Sequence, residues 1–325
     1  MRSASNEQET QECQKETPEE CQEGEGKAAS CPRGRTEKGV ARVTMANAVK
    51  TVYRFGTVEY DLTARTYLMG VLNVTPDSFS DGGLFCDPER AVRRGLEMVE
   101  EGADFIDVGG ESTRPGSDPV SPEEELRRVL PVIERLSKAT DIPISVDTYK
   151  SAVARRALEA GARIINDISG LHFDADLADV AAAGGATLVI MHMKGTPRTM
   201  QADPAYDDVM AEIAEYLAAG IRIAEAKGVE QIFIDPGIGF GKSPSHNVQI
   251  IRRLGELAPL EHPVLVGPSR KSFIGKILDL PVGERLEGTA AAVAASVLNG
   301  ASIVRVHDVK QMLRVARVAD AITRS

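Results

Sequence analysis

The sequence predicts an α/β protein with a (β/α)8 TIM barrel, preceded by a short β-hairpin and a disordered N-terminal tail. Eight apolar runs of strand length recur along residues 67–308, and amphipathic stretches of helical period separate them. Apolar strands that are buried on both faces, each followed by a crossover helix, indicate a parallel sheet. Eight such units over about 260 residues favour a closed barrel over an open, doubly wound sheet. The turn after the first run also lacks the Gly-x-Gly-x-x-Gly pattern typical of that open sheet.

The predicted elements follow one another from residue 51. Residues 51–63 alternate apolar and polar side chains around Gly56, which is typical of a small hairpin. Amphipathic helices are predicted between the later strands, and the stretch SAVARRALEAG ends on Gly161, a residue type that commonly ends helices. The eight predicted barrel strands are 67–73, 105–110, 142–147, 162–168, 186–192, 232–237, 263–269 and 302–308.

Residues 1–50 differ from the rest of the chain. The stretch from Glu7 to Glu25 is rich in Glu and Gln and has no apolar periodicity, and the first aromatic residue is Tyr53. Such a segment buries too little apolar surface to offset the conformational entropy lost on ordering. We therefore predict a disordered acidic tail at 1–50 and a single barrel domain at 51–325.

The composition narrows the class of protein. With 38 basic and 48 acidic residues, the formal net charge is −10, which argues against a nucleic-acid-binding protein because such proteins need a basic face. The sequence contains no run of about 18 apolar residues, so a membrane span is not predicted. The four cysteines match no common zinc spacing, and we interpret them as reduced thiols of a cytoplasmic protein. Trp is absent and aromatic residues make up 4%, which predicts an aliphatic core.

Polar residues stand at the carboxyl end of every predicted barrel strand, where an apolar strand does not need them. This end of a (β/α)8 barrel is the functional face. For a single residue, such as Asp167, helix capping or loop bonding is an adequate explanation, and packing as a structural residue is an adequate explanation for His192. Capping or packing of individual residues does not explain why polar residues stand at the ends of all eight strands. The strand-end residues are Asn73, Glu111, Ser112, Thr113, Arg114, Asp147, Asn166, Asp167, His192, Asp235, Ser269, Arg270, Lys271, Arg305 and His307.

These residues divide into two chemical groups. Asp147, Asn166 and Asp235 are short donors and acceptors that suit a flat heterocycle, because a carboxylate pairs bidentately with an amidine-like N–H and NH2 edge. The second group suits an anion, and the loops after the seventh and eighth strands are the usual phosphate site of this barrel. The residues therefore predict a heterocyclic ligand with a phosphate-bearing arm. The second group comprises Arg114, Ser269, Lys271, Arg305 and His307.

Other interpretations of single motifs are weaker. The segment DPGIGFGKS (235–243) resembles a triphosphate-binding loop, but Pro236 stands where the first glycine of that pattern belongs. Lys271 could form a Schiff base, as in aldolase-type barrels, yet it lies in a loop several residues beyond its strand. His307 could act as a general base, although its position two residues after Arg305 on one strand face favours phosphate binding.

Eight segments in order resemble the dihydropteroate synthase family, and the resemblance covers about residues 53–323. The first two segments are long and highly specific. The tail before about residue 50 lies outside the family's pattern. The segments are MGVLNVTPDSFSDGG (69–83), GGESTRPG (109–116), SVDTYK (145–150), IINDISG (164–170), MHMKGTPRTMQ (191–201), DPGIGFGK (235–242), GPSRKSFIG (267–275) and RVHDV (305–309).

The resemblance implies a transferase of folate biosynthesis. Members of this family join 6-hydroxymethyl-7,8-dihydropterin diphosphate to 4-aminobenzoate, use Mg2+, are targets of sulfonamides and form homodimers through their last helices. Two alternatives remain: a corrinoid-linked methyltetrahydrofolate methyltransferase and a non-catalytic pterin-binding protein. The methyltransferases lack the PDSFSDGG and ESTRPG loops present here, and a phosphate-sugar aldolase is a more distant possibility.

The resemblance also implies roles for individual residues. The pterin ring would contact Asp147, Asn166, Met191, Asp235, Phe240 and Lys271. The diphosphate would contact Asn73, Thr113, Arg305 and His307, with Asn73 also a magnesium ligand. The aminobenzoate would lie among Phe79, Thr113, Arg114, Pro115, Lys271 and Ser272. The catalytic residues would be Asp81, Asp147, Lys271, Arg305 and His307, in a reaction in which diphosphate leaves before the arylamine attacks and Asp81 and Asp147 offset the resulting cation.

Overall fold

The computed structural model describes residues 51–75, 87–113, 116–202 and 204–323, and it confirms the barrel. Two short antiparallel strands, β1 (Val52–Phe55) and β2 (Val58–Asp61), form the predicted hairpin. Eight parallel strands follow, and a single bridge between Ile234 and Val264 joins the two ends of the sheet. They are β3 (Tyr67–Asn73), β4 (Phe105–Gly109), β5 (Ile144–Asp147), β6 (Ile164–Asp167), β7 (Thr187–Met191), β8 (Ile232–Asp235), β9 (Leu265–Val266) and β10 (Ile303–Val306).

Helices connect the strands on the outside of the barrel. Several begin at the residue types that accept hydrogen bonds from the free N–H groups of a first turn: Asp87, Ser121, Asp208 and Ser243 all do so. The described helices are α1 (Pro88–Glu100), α2 (Pro122–Ala139), α3 (Ser151–Glu159), α4 (Leu177–Ala183), α5 (Val209–Ala226), α6 (Pro244–Arg252), α7 (Ser272–Leu278), α8 (Leu286–Leu298) and α9 (Val309–Thr323), with 3-10 turns at Leu254–Leu260 and Val282–Glu284.

Strand β9 is much shorter than the predicted run 263–269. Pro263 and Pro268 flank it, and proline has no N–H group to donate to a neighbouring strand. The chain therefore leaves the sheet at Val266 and enters an irregular segment that leads to the short helix α7. This early departure allows the side chain of Lys271 to reach back over the mouth of the barrel.

The core has two parts, and the prediction of an aliphatic core is correct only for one of them. Between strands and helices the buried side chains are aliphatic, apart from Phe273. Inside the amino-terminal end of the barrel, however, Phe105 and Phe233 pack against the hairpin residues Tyr53 and Phe55, with ring centroids 4.9 Å apart for Tyr53 and Phe233. Aromatic residues are concentrated here, where their large rings fill the barrel interior beside the hairpin.

The hairpin closes that end of the barrel. The Tyr53 hydroxyl donates a hydrogen bond to the carbonyl of Ile232 at 2.8 Å, so its buried oxygen is satisfied. No described helix is long and apolar enough to cross a membrane. The predicted tail at residues 1–50 lies outside the described residues, so its predicted disorder stays a prediction.

Candidate active site

A cavity lies at the carboxyl ends of the barrel strands, the end where the sequence analysis places the site. It encloses about 390 Å³ of space, including its open mouth. Polar groups converge on it from several strands, which strand-end capping alone does not explain. The lining residues are Thr113, Asp147, Asn166, Ile168, Met191, Asp235, Ile238, Phe240, Gly267, Lys271 and Arg305.

Strand register brings the polar groups together. Asp147 on β5 lies opposite Asn166 on β6, and Met191 on β7 lies opposite Asp235 on β8. Because side chains alternate between the two faces of a strand, partners in register point to the same side of the sheet. All four therefore project into the barrel, while neighbours such as Val146 join the aliphatic core outside it.

Arg305 occupies the floor of the cavity between two carboxylates. Its Nε donates to Asp107 Oδ2 at 2.6 Å, and its Nη2 donates to Asp147 Oδ2 at 2.8 Å. Asn166 Nδ2 also donates to Asp107 Oδ2, at 2.9 Å. Asp107 was not predicted as a site residue because it stands within a strand and not at its end. Its signal was a single acidic residue inside the otherwise apolar segment FIDVG.

The segment DPGIGFGK forms a tight turn under the cavity. Asp235 Oδ1 accepts a hydrogen bond from the N–H of Gly237 at 2.7 Å, which holds the carboxylate at the start of the turn. Phe240 then reaches the cavity wall, where Lys271 Nζ lies 4.1 Å from the centre of its ring. Such a distance allows a cation–π interaction. The turn thus places a carboxylate and an aromatic face beside one lysine.

Lys242 and His192 are structural partners. Lys242 is only 2% exposed, and its Nζ bonds to His192 Nδ1 at 2.8 Å and to the carbonyl of Phe240 at 2.9 Å. A lysine so enclosed cannot reach a phosphate, so a triphosphate-binding function of this segment is excluded. His192 is likewise the packed histidine that the sequence analysis allowed for, and burial, reinforced by Lys242, lowers its pKa.

Burial shifts the pKa values of the groups at the cavity. It raises the pKa of Asp147 to about 7 and that of Asp235 to about 6, against the opposing effects of Arg305 and Lys271. It lowers the pKa of Lys271 to about 8. Groups with pKa values close to neutrality in a cleft are typical of functional sites.

His307 is a neutral group in this structure. Burial, followed by the nearby charge of Arg305, lowers its pKa to about 3. Its Nδ1 lies 3.0 Å from Ser269 Oγ, and its backbone N–H donates to the same oxygen at 3.2 Å. His307 therefore offers a hydrogen bond and not a fixed positive charge, so Arg305 and Lys271 supply the positive charge among the described residues that line the cavity.

The remaining predicted site residues differ in position. Asn73 is half-buried at the end of β3, and a β-carbon added at Gly109 would lie 3.6 Å from Asp147 Oδ2 and 3.7 Å from Asn73 Oδ1. Ser272 is exposed at the start of α7 and does not line the cavity. Phe79, Asp81, Arg114 and Pro115 lie outside the described residues, so their predicted roles stay predictions.

Comparison with known proteins agrees with this geometry. A family model for pterin binding enzymes matches residues 69–307. A dihydropteroate synthase of Synechocystis sp. is 49% identical over 272 residues, which cover 83% of this chain and 94% of that protein. The chain belongs to the dihydropteroate synthase family. A second member of the dihydropteroate synthase family, from Bacillus subtilis, is 47% identical over 260 residues, covering 79% of this chain and 89% of that protein.

Solved structures of dihydropteroate synthases share the fold. The Yersinia pestis enzyme in a sulfonamide drug complex superposes with a TM-score of 0.80 at 42% identity, over 84% of this chain and 100% of that one. The Xanthomonas albilineans enzyme with 4-aminobenzoic acid gives a TM-score of 0.79 at 44% identity, over 85% and 99% of the two chains. Both comparisons cover the dihydropteroate synthase barrel almost completely.

Proposed function

We propose that this chain is a dihydropteroate synthase, a transferase that joins 6-hydroxymethyl-7,8-dihydropterin diphosphate to 4-aminobenzoate in folate biosynthesis. The observation that carries this proposal is the cavity in which Asp147, Asn166 and Asp235 meet Lys271 and Arg305. Short carboxylates and an amide suit a heterocycle, and the two cations suit the diphosphate that it carries. Membership of the family supports the same reaction.

The pterin ring would lie between Met191 and Phe240. The Asp235 carboxylate would accept hydrogen bonds from the ring N3–H and 2-amino group, which form a paired donor edge. Lys271, beside the Phe240 ring, would donate to the 4-oxo and N5 side. Asp147 and Asn166, which are partners in strand register, would contact the opposite part of the ring.

The diphosphate would contact Asn73, Thr113, Arg305 and His307. The described residues contain no cluster of three or more His, Cys, Asp or Glu that could hold a metal ion alone. A single amide oxygen, such as Oδ1 of Asn73, suits Mg2+, which binds through few protein oxygens and otherwise through substrate phosphates and water. When bound, Mg2+ would neutralise charge on the leaving diphosphate.

The proposed chemistry is a dissociative displacement. As the C–O bond to the diphosphate breaks, Arg305 and His307 donate hydrogen bonds to the departing oxygens, an interaction that strengthens as negative charge develops. Asp147, together with the predicted Asp81, offsets the positive charge left on the pterin methylene carbon. The neutral amine of 4-aminobenzoate then attacks this carbon and loses a proton. The aminobenzoate is proposed to be enclosed, and water excluded, by six residues: Phe79, Thr113, Arg114, Pro115, Lys271 and Ser272.

The test is product formation by the purified full-length chain. Incubation with the pterin diphosphate, 4-aminobenzoate and Mg2+ should release diphosphate and give 7,8-dihydropteroate, detected by mass spectrometry, and product should require both substrates. Tight pterin binding without product would instead indicate a non-catalytic binding protein. Transfer of a methyl group from methyltetrahydrofolate to a corrinoid would indicate the methyltransferase alternative.

The pKa shifts predict a bell-shaped pH dependence of kcat/KM. As the pH falls through about 7 Asp147 takes up a proton, and near pH 6 Asp235 does so too and loses one acceptor, so activity should fall as the pH decreases. Above about pH 8 Lys271 loses its proton and its charge, so activity should fall again. The measurement is kcat/KM between about pH 5 and pH 10. In Lys271→Arg the side chain stays charged, so the alkaline limb should move to higher pH while the acid limb stays. An unchanged alkaline limb would contradict the assignment.

The proposed magnesium site predicts a separate effect of Asn73. In Asn73→Ala the Mg2+ concentration for half-maximal activity should rise roughly tenfold, since one oxygen ligand is lost. Pterin binding measured without Mg2+ should be unchanged. Asn73→Asp is the matched control, because it keeps an oxygen ligand and should keep the wild-type Mg2+ requirement or lower it. Equal behaviour of the alanine variant and the wild type would remove Asn73 from the metal site.

We further propose a cytoplasmic homodimer that forms through the last two helices. Helix α9 buries Val309, Met312 and Ala316 against its own barrel but leaves Val318 and Ile322 63% and 64% exposed. Large apolar side chains exposed four residues apart on one helix favour a protein interface. Analytical ultracentrifugation of the wild type and of Val318→Asp tests this, with a shift to monomer expected in the variant.

A further inference from the structure

We propose that Asp107 is a positioning residue that fixes the guanidinium of Arg305 at the floor of the cavity and thereby sets the affinity of the site for the diphosphate end of the substrate. Asp107 does not line the cavity itself, so it acts through Arg305 and not by touching substrate. The inference rests on the proposed function for the identity of the anion. The positioning of Arg305 by Asp107 rests on the described contacts alone.

The contacts give Asp107 a specific place beneath the site. It is fully buried on β4, and its Oδ2 accepts from both Arg305 Nε at 2.6 Å and Asn166 Nδ2 at 2.9 Å. One carboxylate oxygen thus holds a group proposed for the diphosphate and a group proposed for the pterin ring. A buried acid is otherwise unfavourable in a barrel interior, and the bond to Arg305 compensates for its desolvation.

The geometry of Arg305 explains why two carboxylates are needed. Arginine carries five N–H donors in one rigid plane. Nε is used by Asp107 and one Nη2 donor by Asp147, so the plane is fixed at two points and the remaining donors are left for an anion. Without Asp107 the guanidinium would be held at the Asp147 end only. It could then rotate about that bond and would no longer present its free donors in one direction.

A neighbouring residue provides a matched control. Ser145 on β5 lies opposite Asp107 in strand register and is equally buried in the barrel interior. Its Oγ and the second oxygen of Asp107, Oδ1, are both buried without a hydrogen-bond partner in the described structure. Ser145→Ala therefore perturbs the same layer of the barrel but removes no bond to Arg305, and we expect it to leave ligand binding unchanged.

The experiment compares two probe ligands by calorimetry on the full chain. Inorganic diphosphate with Mg2+ reports on the anion site, and 6-hydroxymethylpterin without phosphate reports on the ring site. In Asp107→Ala, diphosphate binding should weaken at least tenfold, the range expected for a hydrogen bond to a charged group. Pterin binding should change less than about threefold, because the bond that Asn166 loses is made by a neutral amide and Asp235 and Lys271 keep their contacts to the ring. Asp107→Asn keeps the shape and one acceptor but loses the charge, so it should show a smaller loss of the same selectivity. KM for the pterin diphosphate should rise with the diphosphate Kd.

The outcomes separate a positioning role from a structural one. Equal loss of both ligands in Asp107→Asn, with the thermal midpoint also lowered, would mean that Asp107 only maintains the fold, and the proposal would be overturned. Unchanged diphosphate affinity in both Asp107 variants would overturn it as well, and so would an effect of Ser145→Ala equal to that of Asp107→Asn. If the wild type binds both probes but makes no dihydropteroate, the proposed function fails, and the selective loss in the Asp107 variants still decides the role of Asp107.

Discussion

Replacing Asp235 with asparagine is expected to weaken pterin binding by about a thousandfold and to lower kcat/KM to a similar extent. A carboxylate accepts two hydrogen bonds from the paired donors of the ring, and each bond to a charged group contributes about 1.5–3 kcal/mol. Asparagine offers one acceptor and turns an NH2 group toward a ring donor, so one bond is lost and a repulsive contact is gained. Binding of a pterin without phosphate, measured by calorimetry, tests this directly.

Asp167 provides the control for that experiment. Like Asp235 it is a fully buried aspartate at the carboxyl end of a barrel strand. Its oxygens, however, accept from the backbone N–H groups of Ser169 and Leu171 at 2.7 Å and 2.6 Å, so it fastens the loop after β6 and does not line the cavity. Asp167→Asn should reduce the free energy of unfolding by about 1–3 kcal/mol and leave pterin affinity within a few-fold of wild type. Comparable loss of pterin affinity in both variants would show that Asp235 acts through the fold.

Asp235 and Asp167 show which features of the site could be predicted from the sequence and which could not. The strands and their order were predictable because burial on both faces requires apolar runs and each run is followed by a helical period. The sequence also placed both aspartates at strand ends, but it could not say which of them faces the cavity. That depends on the pleat: Asp235 is in register with Met191 and lines the cavity, whereas Asp167 is in register with Ile190, a residue of the aliphatic core outside the barrel.

The residues that the sequence analysis missed act from within the barrel. Asp107 was overlooked because an acid in the middle of a strand has no local mark that distinguishes a functional group from a buried ion pair. Its partner Arg305 is 198 positions away in the chain, and the pairing of β4 and β10 with the same strand, β3, brings the two side chains to 2.6 Å. Likewise, the aromatic end of the barrel depends on where the hairpin residues Tyr53 and Phe55 pack, which no local pattern records.

Replacing Gly237 with alanine is expected to have the largest effect on the fold of the site. Its φ of +70° is strained for any residue with a β-carbon, and the added carbon would lie 1.9 Å from the carbonyl oxygen of His192. A contact this short with backbone cannot be relieved by a rotamer change. The turn that carries Asp235 and Phe240 must therefore move. We expect a loss of more than about 3 kcal/mol in the free energy of unfolding, together with loss of pterin binding.

Substitution of Gly228 separates the cost of the positive φ from the cost of the contact with His192. Its φ of +86° is equally unfavourable for alanine, but an added β-carbon there meets no atom within 4 Å. Gly228→Ala should therefore show only the conformational cost, about 1–2 kcal/mol, with pterin binding intact. Chemical denaturation and pterin titration of both variants make the comparison. Because the two glycines share the backbone strain and differ in the His192 contact, the excess loss in Gly237→Ala measures how tightly the turn beneath the pterin is packed. Equal losses in the two variants would mean that the turn yields easily and that its close packing does not position Asp235.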